Sequence, residues 1–279
     1  MNEVAKLNES RASNQKMIAT ILESDSSHKK LNDFFAGDSA KVQRFKSSLI
    51  NIAGNSILSS CSPASIIRSA FSLAEIGLDI NQTLKQSYVL KYGIEAEPVI
   101  SYKGWQSILE KVGKKSRAFC VFKCDTFNID FSTFEGNLTF VPNYAQRDET
   151  NRKWFNDNLL GVVVLIKDKD ASEIVNFVSA KKIDKIKGCS PSVKKGRNSP
   201  YDEWFEEMYL AKAIKYVLSK QALTEKEETI ARAIDIENEV EAKIQKEASN
   251  YEIKDLEELM QDKEVMAMTL DAEEGIPQI

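Results

Sequence analysis

Apolar positions after residue 37 recur with helical spacing. Val42, Phe45, Leu49 and Ile52 would share one face of a helix, and a second stripe is formed by Ile66, Ile67, Ala70, Phe71 and Ala74. Ser62 is suited to cap this second helix, and Pro63 suits its first position. Residues 1–37 are polar and only weakly periodic, which predicts a mobile lead-in or one marginal helix.

The middle of the chain has the pattern of strands. QSYVLKY and EPVISY flank Gly93 and predict a hairpin, and the later strand candidates are RAFCVFKC, NLTFVP, LLGVVVLIKD and SEIVNFVS. The last two are expected to pair across KDKDA. KGWQSILEKVG, which follows the hairpin directly, has helical spacing, and Gly113 suits the end of that helix. The prediction is an α+β fold with a small antiparallel sheet and flanking helices.

The last third of the chain divides into a basic interval at residues 181–197, a helix and an acidic end. YDEWFEEMYLAKAIKYVLSKQ has a helical apolar pattern, and residues 221–279 are charged, helical in bias and poor in aromatic residues. We therefore predict three parts: a lead-in at 1–37, a core at 38–220 and an acidic helical C-terminal region at 221–279. This division predicts that residues 221–279 are dispensable for any activity that residues 38–220 perform alone.

Charge separates along the same boundary. The whole chain has a formal net charge of −4, but residues 31–220 carry a net charge of +6 and residues 221–279 one of −11. Such asymmetry is typical of a basic body that meets a polyanion and an acidic end with another role. The alternative for the acidic end is a solubilising extension.

Several classes of function lack their sequence signals. No apolar run reaches the length of a bilayer span and no secretory signal is present, so a cytosolic protein is expected. The chain has no phosphate-binding loop and a single histidine, so we predict no catalytic residues, no metal site and no cofactor. A magnesium-dependent nuclease using Asp125, Asp130 and Glu135 is a distant alternative.

Basic residues gather beside aromatic residues in two places. Residues 103–123 hold six basic residues against the single acid Glu110, and residues 181–197 hold seven against Asp184. Lysine and arginine neutralise phosphates and aromatic rings stack on bases, a combination that suits single-stranded nucleic acid. The candidate DNA-binding residues are Gln86, Lys91, Tyr102, Lys103, Gly104, Trp105, Arg117, Lys187, Lys194, Lys195, Arg197, Trp204, Lys212 and Lys215.

The segment ISYKGW lies at a junction between strand and helix. A helix N-terminus offers free N–H groups, and Gly104 would let a phosphate approach closely, so Lys103 and Gly104 are predicted to form a phosphate seat. The alternatives are that Trp105 belongs to the core and that Lys103 is an ordinary solvated cation.

Four blocks of the sequence resemble the RecT/Redβ-type single-strand annealing proteins of phages and prophages, most closely the RecT branch. They are CSPASIIRSAFSLAEIGLDI, QSYVLKYGIEAEPVISYKGWQSILEKVG, NFVSAKKIDKIK and SPYDEWFEEMYLAKAIKYVLSK. Tyr102, Lys103 and Gly104 match the family's Tyr-Lys-Gly block, and Lys212 matches the lysine after its Glu-Glu-Met block. Ser101 departs from the pattern, since glycine is usual there.

The resemblance implies a phage recombinase that works without ATP in the cytosol of a bacterial host. Such a protein binds single-stranded DNA in a basic groove, pairs it with a complementary strand and holds the duplex in a helical filament or ring. Mg²⁺ is expected at most to modulate annealing. The resemblance also implies that the acidic region recruits a host single-strand-binding protein or a companion phage exonuclease. The alternative function is a passive single-strand binder.

Overall fold

The computed structural model describes residues 14–168, 173–187 and 205–243. Its N-terminal part is helical: α1 (residues 14–23), α2 (Asp25–Phe34), α3 (Ser39–Ala53) and α4 (Pro63–Glu75), with a short 3₁₀ turn at Ser56–Leu58 between the last two. The predicted faces of α3 and α4 are directed to the core. The predicted cap of α4 is confirmed, because Ser62 Oγ accepts a hydrogen bond from the Ser65 N–H at 3.2 Å.

Residues 14–37, predicted as part of a lead-in, pack against the rest of the protein. Ile18, Leu22 and Leu31 are buried in the main core. Asn14 Nδ2 donates to the carbonyl of Cys61 at 3.2 Å, which ties the start of α1 to the loop before α4. Few apolar residues are enough here, because they fall on the one side of each helix that meets α3 and α4.

The predicted hairpin is confirmed. Strands β1 (Ser87–Tyr92) and β2 (Glu95–Ile100) pair antiparallel from Ser87 opposite Ile100 to Tyr92 opposite Glu95. Gly93 opens the two-residue turn with φ of +61°, a conformation that glycine adopts without strain. Helix α5 (Tyr102–Lys111) follows directly and ends before Gly113, whose φ is +86°.

The main sheet has three antiparallel strands in the order β3 (Lys114–Phe122), β6 (Leu159–Asp168) and β7 (Glu173–Ser179). β6 and β7 pair as predicted. A separate hairpin of β4 (Thr126–Asp130) and β5 (Asn137–Val141) covers the outer face of this sheet, and helix α6 (Arg152–Asn158) precedes β6. β4 was not predicted, since its short TFNID run carries only two apolar residues.

The C-terminal part consists of α7 (Ala180–Lys187), α8 (Phe205–Leu218), a 3₁₀ turn (Glu225–Glu227) and α9 (residues 228–243). Within α9, Ile230, Ala233, Ile234 and Ile236 belong to the main hydrophobic core, beside residues of α8 and α4. Arg232 also forms a two-point ion pair with Glu75 of α4, at 3.1 and 3.2 Å. The division predicted after residue 220 stays a prediction, but α9 contributes to the hydrophobic core of the residues before it.

The α+β class is therefore confirmed. One face of the three-stranded sheet packs against the helices in the main core, and the other packs Val121, Val163 and Val175 against the β4–β5 hairpin. Alternate residues of β6 serve the two faces, as the two-residue period of a strand requires.

Candidate nucleic-acid interface

The start of α5 places Lys103 at the surface. Its side chain is exposed and has no ion-pair partner among the residues that the structure describes. Ser101 is the N-cap, and its Oγ accepts a hydrogen bond from the Gly104 N–H at 3.0 Å. The N–H of Gly104 is therefore already bonded to the cap, so the predicted phosphate seat cannot use this N–H in this conformation, and the Lys103 ammonium is the exposed cation of this turn.

The lack of a side chain at Gly104 does permit a close approach, but the group that approaches is the protein backbone at Gln86. A Cβ at this position would lie 2.1 Å from the backbone oxygen of Gln86. The Gln86 side chain is also engaged, because its Nε2 donates to Ser107 Oγ at 3.2 Å and its Oε1 accepts from the Asp79 N–H at 3.4 Å. Both residues, predicted as DNA contacts, hold the start of β1 against α5.

Trp105 was also among the predicted DNA contacts, and its placement corrects that prediction. The side chain is fully buried, together with Ile108 and Leu109 on the same face of α5. Its ring has no free face for a base in this conformation. Tyr102 is half-buried and accepts hydrogen bonds at its hydroxyl from the Ala118 N–H at 3.1 Å and from Gln106 Nε2 at 3.2 Å, so it ties α5 to the edge of β3.

Two further predicted residues are cations at the surface. Arg117 is exposed on β3, with its guanidinium 5.9 Å from the centre of the Phe119 ring. Lys91 is exposed on β1, and its ammonium donates to Ser60 Oγ at 2.6 Å. Both can reach a phosphate without giving up a carboxylate partner among the described residues.

Lys212 and Lys215 have a different environment. Both extend from α8 to two carboxylates of α9: Lys212 Nζ lies 2.8 Å from Glu237 and 2.9 Å from Glu241, and Lys215 Nζ lies 2.9 Å from Glu241 and 3.6 Å from Glu237. The side chain of Glu237 is 6% exposed and that of Lys215 is 8% exposed. These two lysines and two glutamates form a mostly buried network of four charges that joins α8 to α9.

The network affects the ionisation of its members. Burial acts to raise the pKa of the Glu241 carboxyl, but Lys212 and Lys215 together outweigh it, so this pKa is lowered. The same charges face Tyr92 at the end of β1, where burial raises the pKa of the phenol and the field of Lys212 partly opposes this. Lys212 therefore lies between the hairpin and α9, and it can bind a phosphate in this conformation only if it exchanges Glu237 or Glu241 for the phosphate.

We expect Lys212→Met to lower the free energy of unfolding by about 2 kcal/mol, because it removes charged hydrogen bonds from buried carboxylates. Lys103→Met is the matched control. Since Lys103 is exposed and has no ion-pair partner within the described ranges, we expect a change within about 0.5 kcal/mol. Urea unfolding followed by circular dichroism measures both. Equal effects of the two substitutions would contradict a structural role for the Lys212 network.

The structure also brings together residues that the sequence pattern did not single out. Tyr144 and Arg147, from the loop after β5, meet Glu206 of α8 in a cleft beside β3 that Arg117 also lines. The side chain of Asp125 is fully buried below this cleft, where Arg147 Nη2 binds it at 2.7 Å. This pairing leaves Asp125 poorly placed for the magnesium site of a nuclease. In the sequence, only the tyrosine and arginine of NYAQR, residues 143–147, could have drawn attention to this loop.

The remaining candidates lie outside the described residues: Lys194, Lys195, Arg197, Trp204 and the side chain of Lys187. Among the residues that are described, no group of three or more histidine, cysteine, aspartate or glutamate side chains could hold a metal ion. The described helices include none that is long and apolar enough to cross a membrane.

The model of the RecT family matches residues 43–251, which include every candidate DNA-binding residue, both hairpins and the three-stranded sheet. No curated protein matches the chain. Since the match covers well over half of the sequence, this protein belongs to the RecT family.

Proposed function

We propose that this protein binds single-stranded DNA, pairs it with a complementary strand without ATP and holds the product in an oligomer. Membership of the RecT family supports the general assignment, which is a function in phage-type single-strand annealing and DNA recombination. The family match is the observation on which the proposal chiefly rests. Proteins of this family anneal strands and are not classical enzymes.

The exposed cations support the proposal physically. Annealing needs a surface that holds sugar-phosphate backbones and leaves the pairing edges of the bases accessible to a second strand, and phosphate contacts satisfy both conditions. Lys91, Lys103 and Arg117 are exposed and are not engaged by carboxylates among the described residues. Base pairing supplies the free energy, so the proposed reaction requires no nucleotide hydrolysis.

Several copies acting together would compensate for the modest charge of each subunit. Residues 31–220 carry a net charge of only +6, and an array along one strand adds the contacts of successive subunits. We therefore keep the filament or ring as part of the proposal.

A strand-pairing assay tests the proposed function. Complementary oligonucleotides with a donor and an acceptor fluorophore are mixed without ATP, with and without the full-length protein. We expect the protein to accelerate pairing. Slower pairing would favour the passive single-strand binder, and shortened strands after Mg²⁺ addition would favour a nuclease.

Lys103→Ala should weaken binding to single-stranded DNA of any sequence and reduce the slope of log affinity against log salt by about 0.7, the loss expected for one phosphate contact. Lys226→Ala is the matched control, because Lys226 is also exposed but lies in the turn before α9. Fluorescence anisotropy over a salt series measures both slopes. An unchanged slope for Lys103→Ala would indicate that this lysine faces solvent only.

We assign partner recruitment to the end of the acidic region. α9 packs in the main core, so the part available for a host single-strand-binding protein or a phage exonuclease would be residues 244–279, which lie outside the described residues. A pull-down with each purified partner, comparing the full chain with a chain that ends at Lys243, tests this. Undiminished capture by the shorter chain would contradict it.

A further inference from the structure

A cleft of about 490 Å³ lies beside β3, between the β4–β5 hairpin, the loop that follows it and the start of α8. Its walls include three aromatic side chains, Phe119, Phe140 and Tyr144, and its volume is within the usual range for small-ligand sites. Phe119 and Phe140 stack on each other with ring centres 4.6 Å apart, and Tyr144 is 73% exposed at the rim. The cleft therefore presents aromatic surface to solvent.

Arg147 is a fixed part of the wall. Its Nε and Nη2 donate to Asp125 at 3.0 and 2.7 Å, and its Nη1 donates to Glu149. The guanidinium lies 4.9 Å from the centre of the Phe122 ring and 5.2 Å from that of Tyr144. Because two carboxylates already neutralise it and its side chain is 9% exposed, Arg147 supports Tyr144 and is not available as a phosphate ligand.

Two charged groups of the cleft have no ion-pair partner among the residues that the structure describes. Glu206 is half-buried, and neither a hydrogen bond nor an ion pair engages its carboxyl within the described part of the chain. Burial raises the pKa of Glu206, and the nearby carboxylates of Glu149 and Glu207 add to this. Arg117 lines the same cleft and likewise has no carboxylate partner there. A half-buried carboxyl without a donor is unfavourable, so a ligand with an N–H group directed at Glu206 would be stabilised.

We propose that the cleft receives one nucleobase that has left the stack of a bound DNA strand. Tyr144 contacts the face of the base, Glu206 accepts a hydrogen bond from an exocyclic amino group, and Arg117 binds the neighbouring phosphate. Because that amino group lies on the pairing edge, this one base is withheld from pairing while it occupies the cleft, and the other bases of the strand keep their pairing edges accessible. The inference rests on the proposed binding of single-stranded DNA. Cytosine, adenine and guanine carry such an amino group and thymine does not. Thymine offers only its ring N3–H, which lies between two carbonyl oxygens that a carboxylate repels, so the cleft discriminates against thymine.

The first test compares the affinities of full-length protein for oligo-dC and oligo-dT of equal length by fluorescence anisotropy. We expect oligo-dC to bind about fivefold more tightly, the low end for one base contact. In Glu206→Gln the ratio should fall to about one, because an amide both donates and accepts. Glu207→Gln is the matched control and should keep the original ratio, since Glu207 is the exposed neighbour on α8 and does not line the cleft.

A ratio that is near one in the wild type, or that Glu206→Gln leaves unchanged, overturns the inference while the proposed function stands. Failure of every variant to bind either strand overturns both. Free dCMP offers the same base and phosphate without a strand. We expect it not to displace oligo-dC, and displacement at equal nucleotide concentration would show a mononucleotide site and overturn the proposal.

A second test follows the base directly. An oligonucleotide with a single 2-aminopurine should change its fluorescence on binding, and Tyr144→Leu should remove about half or more of this change because the aromatic contact is lost. Tyr88→Leu is the control, since Tyr88 is an exposed tyrosine of β1 outside the cleft. Equal signals in wild type and Tyr144→Leu would overturn the assignment of Tyr144.

Discussion

A chain that ends at Gln221 should lose its cooperative unfolding transition. The truncation removes α9, whose buried residues include Ile230, Ile234 and Ile236. Burial of one such side chain stabilises a protein by about 1.5–3 kcal/mol, and the whole folding free energy of a domain is about 5–15 kcal/mol. The truncation also leaves Lys212 and Lys215 without Glu237 and Glu241. Thermal unfolding followed by circular dichroism measures the effect.

The control for this truncation is a chain that ends at Lys243, which retains α9 with its ion pairs, including that between Lys243 and Glu97 at 3.1 Å. We expect its melting temperature to stay within about 4 °C of the full chain, a change of about 1 kcal/mol or less. The charge division along the sequence, together with the resemblance to annealing proteins, predicted that residues 221–279 are dispensable for annealing. A folded, annealing-competent chain that ends at Gln221 would support that division and refute an essential role of α9.

Gly104→Ala should lower the free energy of unfolding by about 3 kcal/mol, at the upper end for overpacking. The new methyl group would lie 2.1 Å from the backbone oxygen of Gln86, so β1 and α5 would have to move apart. Alanine is favoured over glycine in a helix by only about 1 kcal/mol, which does not offset such a clash. Urea unfolding measures the loss.

Gly54→Ala is a matched control. Its Cβ would lie equally close, 2.1 Å, to an atom of the Gln15 side chain, which can rotate away. We expect a loss below about 1 kcal/mol. If Gly104→Ala instead kept full stability and lost only DNA affinity, the packing explanation would be wrong. Gly104 would then allow close contact with a phosphate, as the sequence motif predicted.

Local pattern predicted many of the elements. The periodicities of α3, α4, α5 and α8, the turn at Gly93 and the pairing of β6 with β7 all follow from residues close together in the sequence. α1 and α2 were harder to predict, because each buries only one or two large apolar residues. Their stability depends on contacts with α3, α4 and the loop at Cys61, which are distant in sequence.

The candidate site was predictable only in part. A run of basic residues indicates a surface for polyanions, and Lys91, Lys103 and Arg117 are exposed as such a surface requires. The same reasoning could not separate Lys103 from Lys212, because both are lysines in helices beside aromatic residues. The distinction depends on Glu237 and Glu241, which lie more than twenty residues beyond Lys212 and reach it only because α9 folds back against α8.

The sequence by itself determined the α+β class, the order of its main helices and strands and the separation of a basic body from an acidic end, because these depend on local periodicity and on charge along the chain. Only the tertiary structure decided which lysines are paired with carboxylates among the described residues. It also decided that the backbone of Gln86 occupies the space where a side chain of residue 104 would lie. It also decided that Tyr144, Glu206 and Arg117 share one cleft. These depend on contacts between segments far apart in sequence, where burial removes water and makes each pairing of charge or volume specific.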